Sequence, residues 1–377
     1  MVSSINTIMY NLDILNDRNN KVNHGLSTNE ALEYGSDDSV RYDYILGVKN
    51  DINTYTSINE SINYNSAFNT SSDTALSEIK TVTESILSEL IKANTDTTSD
   101  EGRVVISGQI EDYKQSLLSL SNTNVDNQYL FSGVNTNVSP FLEDEITGVI
   151  SYQSDNSSKM INVEENRYVS QGVNGIDVFY YTNNNVEDTN NFTFSSNEII
   201  LDEDGNEWSL IDSDNDGIND GVFLKGDITS TSMSITDNGD GTFNAVNTSG
   251  TSLVVKHSIF DDLNKVISAL KLEDEDGNSI SADDSSLILS SILENIDIAY
   301  DSQNISHSIV GTKTNTIDTY QNIVQTKLTN LTILENEYAS ADLTALAVEA
   351  QALENTYTAL YSTINRVNSL SLINYLK

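Results

Sequence analysis

No cysteine occurs in the chain, which removes disulfides, thiolate zinc sites and cysteine nucleophiles together. Basic residues are scarce: 18 Lys and Arg face 57 Asp and Glu, a formal charge of −39. Neutralising phosphates needs clustered cations, so nucleic acid and anionic membrane surfaces are excluded as partners. No stretch approaches the roughly eighteen apolar residues of a membrane span. The opening MVSSINTIMYNLDIL has no basic segment followed by an unbroken apolar run, so no cleaved secretory signal is expected. His24, His257 and His307 are isolated, and no HExxH, triad spacing or glycine-rich phosphate loop occurs. Paired carboxylates carry no glycosidase signal among 57 acids, since pairs arise everywhere by chance. Structural roles are expected for the three histidines, and no enzymatic activity.

The 377 residues allow two or three domains, and 37% hydrophobic content suffices for cores but is low for one large compact enzyme. An elongated or multi-domain chain is expected. What organises the sequence is a heptad pattern at both ends. Ile5, Ile8, Leu12, Leu15, Val22 and Leu26 follow a 3-4 alternation whose missing member is Asn19. Asn19 either sets register at a polar core position or faces solvent where the seam frays. Leu343, Leu346, Ala350, Leu353, Tyr357, Leu360, Ile364 and Val367 continue the alternation at the other end, a coiled-coil signature. After Val367 the phase slips to Leu370, Ile373 and Leu376, a three-residue step that overwinds such a seam.

Inner segments read the same way. Leu76, Ile79, Ile86, Leu90 and Ala93, then Ile106, Ile110, Tyr113, Leu117 and Leu120, form two apolar stripes separated by the cap-rich NTDTTSDEGR, which predicts an αα-hairpin between Asp73 and Asn127. Leu287 to Val310 and Ile317 to Tyr338 also read as helical. Between Asn183 and Gly250 helical periodicity disappears, and Lys225 is the single base among many acids. EIIL and EWSLI flank DEDGN, and SMSIT and TFNAV flank DNGDG, which predicts β-hairpins. The chain is therefore mainly α with an inserted β-rich domain. The expected division is a terminal coiled-coil domain (1–40 with 341–377), a helical bundle domain (41–141 with 256–340) and an inserted acidic β-rich domain (142–255). The Asn-, Ser- and Thr-rich helices have modest intrinsic propensity, so the ends are expected to be mobile in a monomer and ordered on assembly.

One motif carries metal chemistry. Asp212, Asp214, Asp216 and Asp220 around Gly217 place alternate carboxylates in a turn, the arrangement with which calcium loops wrap a hard cation. Phe223 stands where an EF-hand places its bidentate Glu, so Asp220 and backbone carbonyls have to close the shell. Structural calcium is one reading; a solvated acidic hairpin loop is the other.

The ends of the chain resemble a known family. GLSTNEALEYGSDD, from Gly25 to Asp38, is similar to the turn after the first helix of bacterial flagellins, with Ser36, Asp37 and Asp38 its most specific part; Ser39 follows where that family usually has Pro nearby. Asp73, Ala75 and Leu76 match the flagellin-type helix that comes next. Tyr129, Leu130, Phe131, Ser132 and Gly133, followed by Pro140 and Phe141, resemble the YLFSG and PF signature of the hook-associated protein 3 family rather than filament flagellin. Ile259 to Leu263, Val310 with Gly311, and Leu370 to Leu376 are similar to that family's returning helices and C-terminus. The likeness covers roughly residues 1–141 and 256–377.

The resemblance implies flagellin-like coiled-coil termini, a helical bundle and an outer β domain. It implies a structural protein at the hook-filament junction of the bacterial flagellum, assembling as a ring on which flagellin polymerises. Implied partners are further copies of the chain, another hook-associated protein on the hook side, flagellin on the filament side, and an export chaperone on the C-terminal helix. The implied location is extracellular, reached by type III export. Ile5, Ile8, Leu12, Leu15, Leu346, Leu353, Leu360, Ile364 and Val367 become the assembly or chaperone seam. Two rival expectations are filament flagellin, disfavoured by Tyr129 to Gly133, and a calcium-dependent surface-binding module centred on the acidic insert.

Overall fold

The computed structural model describes residues 2–375 apart from 96–97, 146, 213–217, 228–231, 240 and 275–276, with side chains described from residue 6 to residue 366. The helices are α1 (Val2–Thr28), α2 (Ser39–Ala93), α3 (Asp100–Ser121), α4 (Gly175–Phe179), α5 (Ile259–Leu270), α6 (Ala282–Ala339) and α7 (Leu343–Tyr375). Between α3 and α5 lie β1 (Asn124–Val125), β2 (Gln128–Tyr129), β3 (Phe141–Glu143), β4 (Ile150–Tyr152), β5 (Met160–Glu164), β6 (Arg167–Ser170), β7 (Tyr180–Val186), β8 (Asn191–Ser195), β9 (Ile199–Asp202), β10 (Glu207–Ile211), β11 (Gly221–Leu224), β12 (Ile235–Asp237), β13 (Thr242–Val246) and β14 (Leu253–Ser258). The chain is mainly helical with a β-rich middle, as its periodicity predicts. The two helical readings Leu287 to Val310 and Ile317 to Tyr338 are one helix, α6.

Contacts divide the chain into two compact units, Met1–Glu60 with Gln321–Lys377, and Ser61–Tyr320. Both α2 and α6 contribute to each. In the first unit α1 packs against α7, and the start of α2 against the end of α6. Val48, Ile58 and Val324 are its buried apolar residues on that second pair. Lys327 donates to Tyr55 Oη at 3.0 Å and lies over its ring, and Tyr44 stacks at a tilt on Tyr338, 4.4 Å between centroids.

The second unit has two cores. In the larger, Leu76, Ile79, Ile86 and Leu90 of α2 meet Ile106, Ile110 and Leu117 of α3, with Leu263 and Val266 of α5 and Leu289 and Ile292 of α6. The predicted α2–α3 hairpin forms, and Ser99 caps α3 by accepting from Gly102 N at 3.2 Å. The smaller core lies between a five-stranded antiparallel sheet, ordered β11-β10-β9-β14-β7, and a three-stranded one, ordered β12-β13-β8. Val186, Ile200, Trp208, Val222, Leu253 and Val255 come from the first sheet, and Phe192, Phe194 and Ala245 from the second. Alternation produces this: in β8 the buried residues are Phe192 and Phe194, while Asn191 and Thr193 are exposed. The hairpins β9–β10 and β12–β13 are the two predicted from Asp-Gly punctuation. β14 runs straight into α5, where Ser258 caps the helix by accepting from Phe260 N.

Candidate assembly interface

The terminal seam is built as a two-helix stripe. Along α1, Ile8, Leu12, Leu15 and Asn19 are half-buried between exposed neighbours, and Val22 is 2% exposed. Along α7, Leu346, Ala350, Tyr357, Leu360 and Ile364 are half-buried, and Leu353 is 4% exposed. Asn19 thus sits within the stripe. The side chains of Ile5 and Val367 lie outside the described residues, as does the phase slip after Val367. Two contacts make the pair antiparallel: a Cβ at Gly25 would meet Leu346 Cδ1 at 2.6 Å, and Tyr357 Oη donates to Asn16 Oδ1 at 2.7 Å. Gly25 leaves the room that the end of the Leu346 side chain occupies.

Two helices cannot bury a heptad stripe from every side. Met9, Tyr10 and Ile14 on α1, and Val348 and Tyr361 on α7, remain exposed, Tyr10 at 67% and Val348 at 69%. The pair presents apolar flanks of the kind that mark protein contact surfaces.

The Ser36-Asp37-Asp38 segment is a connector. Asp37 accepts from Lys21 Nζ at 2.6 Å and from Tyr34 N at 3.0 Å, which holds its carboxyl below the ordinary aspartate range, chiefly through the Lys21 bond. Asp38 starts α2, its carboxylate accepting from Arg41 N at 3.0 Å. Arg41 in turn donates to the carbonyls of Tyr338 and Ser340. A bridge between Glu30 and Ser340, flanked by Ala31 N to Ala339 O and Ala341 N to Asn29 O, ties the α1–α2 turn to the α6–α7 turn. Asp342 then caps α7 by accepting from the amides of Thr344 and Ala345. The motif is thus tied to α1 through Asp37 and Lys21, and to the α6–α7 turn through Asp38 and Arg41.

Leu130, Phe131, Ser132 and Phe141 are buried and belong to the second unit's packing. Phe141 touches three aromatic neighbours: Phe179 at 4.9 Å, Tyr152 at 5.2 Å and Phe260 at 5.5 Å between centroids. Phe131 meets Phe179 edge-on at 5.7 Å. Gly133 has φ +67°, and a Cβ there would stand 2.6 Å from both Asp155 O and Asp155 Oδ1. Phe131 of the YLFSG segment, Phe141 of the PF pair and Phe260 of the returning segment thus form one aromatic hub around Phe179. Phe179 at its centre has no signal in the sequence, being one apolar residue of the GIDVF run.

The acidic motif falls in the β10–β11 connection. Asp220 N donates to Ile211 O at 2.9 Å, closing its base, while Asp214 and Asp216 lie outside the described residues. Phe223 is buried in β11 opposite Ser209. Among the described residues no group of three His, Asp or Glu side chains is placed to hold a metal. No described helix is long and apolar enough to cross a membrane.

Of the histidines, His24 lies 3.7 Å from Glu30 and His307 lies 2.9 Å from Asp73. His257 is different. Its Nδ1 is 3.0 Å from Glu198 Oε1 and its Nε2 is 3.3 Å from Asp262 Oδ1. Tyr181 Oη donates to Asp262 Oδ2 at 2.7 Å, and Ser195 N to Glu198 Oε2 at 2.8 Å. Burial disfavours charge on the imidazole, but the bonds to Asp262 and Glu198 outweigh it and push its pKa up to about 10. Burial likewise opposes the Glu198 charge, yet the bonds from His257 and Ser195 N hold that carboxyl below its ordinary range. Next to it, burial pushes Asp261 up to about 7. This cluster escapes sequence reading because Glu198 and His257 are 59 residues apart.

Residues 2–136 match the family model described as the bacterial flagellin N-terminal helical region. No curated protein matches the chain in sequence. Among solved structures, FlgL of Xanthomonas campestris is 14% identical with a TM-score of 0.52, the alignment covering 77% of this chain and 99% of that one. The flagellar hook associated protein-3 of Legionella pneumophila is 16% identical with a TM-score of 0.53, covering 78% and 98%. The chain carries a flagellin-type N-terminal helical region and has the fold of these hook-associated proteins.

Proposed function

We propose that the chain is a structural junction protein of the bacterial flagellum, assembling as a ring between hook and filament and providing the platform on which flagellin polymerises. The observation that carries this reading is the aromatic hub that Phe131, Phe141 and Phe260 make around Phe179, because the residues that distinguish the junction family from filament flagellin build the fold rather than decorate it. The exposed flanks of the α1–α7 stripe support self-assembly and contact with hook-side and filament-side neighbours. Its role is packing geometry, with no catalytic step. The proposed domains are a terminal domain (1–40 with 341–377), a bundle (41–141 with 256–340) and an acidic β-rich domain (142–255). An export chaperone holds the α7 seam before assembly, so that one apolar stripe serves two partners in turn. The protein then works outside the cell, delivered by flagellar export.

Electron microscopy of a strain lacking the gene, with flagellin assayed in the medium, tests the role. Hooks without filaments together with free flagellin support it, since export continues while polymerisation has no platform. Normal filaments contradict it, and missing filaments without secreted flagellin identify the chain as the filament subunit instead. Structural calcium held by Asp212, Asp214, Asp216 and Asp220 is a separate proposal, supported by the donor set and the closed base of the loop. Calcium binding measured by titration calorimetry, abolished by Asp212→Asn, is the expected result; no binding at millimolar calcium refutes it.

A further inference from the structure

We propose that the Glu198–His257–Asp262 row is a charged latch that fastens the β8–β9 turn to the first turn of α5 and lets it go when the imidazolium loses its proton. Both ring nitrogens of His257 face carboxylate oxygens, at 3.0 and 3.3 Å. A neutral imidazole has one N–H, so one of those contacts would set lone pair against lone pair; only the doubly protonated ring donates to both. The three side chains are nearly closed off from water, at 12% exposed for His257, 5% for Glu198 and 2% for Asp262.

The latch spans elements that the chain connects only at a distance. Glu198 belongs to the turn between β8 and β9, and its other oxygen receives Ser195 N, so the turn's backbone hangs on the same carboxylate. Asp262 lies in the first turn of α5, held by Tyr181 Oη from β7 and by Asn295 Nδ2 from α6. Among the described residues, the titratable and charged groups that face the ring from the packed elements are Tyr181 on β7, Glu198, and Asp261, Asp262 and Lys265 on α5; α6 contributes the neutral Ser291 and Asn295. Removing the proton leaves two buried carboxylates, with Asp261 beside them, facing each other across an uncharged ring. That arrangement is relieved by moving the turn outward. A cavity of about 410 Å³ adjoins the row, lined by Glu198, His257, Asp262 and Asn295 among others, and gives the turn and water somewhere to go. The imidazole's elevated basicity follows from the same bonds and places release at strongly alkaline pH. At neutral pH the latch is a standing clamp.

The test uses the full-length chain. In wild type, proton NMR of the His257 ring, assigned against His257→Gln, is expected to remain in the imidazolium position at pH 8 and to titrate above pH 9. Hydrogen exchange at pH 7 is expected to rise at least tenfold at Ser195 and its neighbours in His257→Gln, with the terminal helices unchanged. Glu198→Gln, which keeps the size but not the charge, is expected to lower the His257 titration and to loosen the same segment. A wild-type ring that titrates near 6.5 overturns the proposal, and so does unchanged exchange of the turn in a folded His257→Gln. Should His257→Gln not fold, exchange of the same segment in Glu198→Gln decides: a rise at Ser195 and its neighbours supports the latch, and unchanged exchange overturns it.

Discussion

Gly133 and Gly148 share the same backbone angle, φ +67°, but not the same surroundings, and this separates two costs that are usually confounded. An alanine in the left-handed region costs about 1–2 kcal/mol wherever it occurs. Gly148 has nothing within 4 Å of its virtual Cβ, so Gly148→Ala is expected to cost only that. At Gly133 the added carbon meets Asp155 O and Asp155 Oδ1 at 2.6 Å and Ser157 O at 2.7 Å. Two of these are backbone atoms, and the third belongs to a carboxylate that receives the amides of Val134, Asn135 and Ser157. Displacing that carboxylate loses at least one hydrogen bond to a charged group, worth about 1.5–3 kcal/mol. Gly133→Ala is therefore expected to cost roughly 2.5–5 kcal/mol in total. Equilibrium urea unfolding followed by circular dichroism should show a midpoint lower than that of Gly148→Ala by about 1 M. Equal midpoints for the two variants would falsify the claim that Gly133 is required by the Asp155 turn rather than by its backbone angle alone.

Leu353→Asp places an unpaired carboxylate at a position 4% exposed and is expected to abolish motility and filament attachment; a fully motile strain would contradict the seam's role. Amide exchange from Ile5 to Val22 is expected to be fast in a dilute monomer and slow in assembled structures, and strong protection in the monomer would count against folding on assembly. Thermal stability is expected to peak in mildly acidic solution. His257 has a folded value of about 10 against 6.5, so its contribution is complete below pH 6.5 and is lost as pH rises to 10, on the order of a few kcal/mol. Asp261, raised to about 7 from 3.8, adds a decline between those two values, while Glu198, held low, loses its contribution only as pH falls through its folded value. Scanning calorimetry between pH 5 and 10 checks this, and a melting temperature higher at pH 9 than at pH 5.5 is the result that would defeat it.

The terminal stripe was legible because a heptad repeat is local: each member of the Ile8 to Val22 and Leu346 to Ile364 series sits where a 3-4 alternation places it, and the less exposed residues in those spans are the ones in phase. The hairpins β9–β10 and β12–β13 were legible for a similar reason, since turn residues and alternating strands lie within a dozen residues of one another. The single long α6 was not, because the Asn- and Thr-rich stretch near Val310 weakens the apolar period without breaking the helix. The charged row escaped for another reason. His257, Glu198 and Asp262 acquire meaning only after β14 pairs with β9 and delivers the chain into α5, a non-local event without a local pattern. The strand that makes this pairing also leads through Ser258 into α5, where Phe260 meets Phe141, so Phe260 of the hub and Asp262 of the latch share one strand-to-helix junction. A substitution that slips the β9–β14 register by one residue would reverse the faces of that junction and should damage the hub and the latch together.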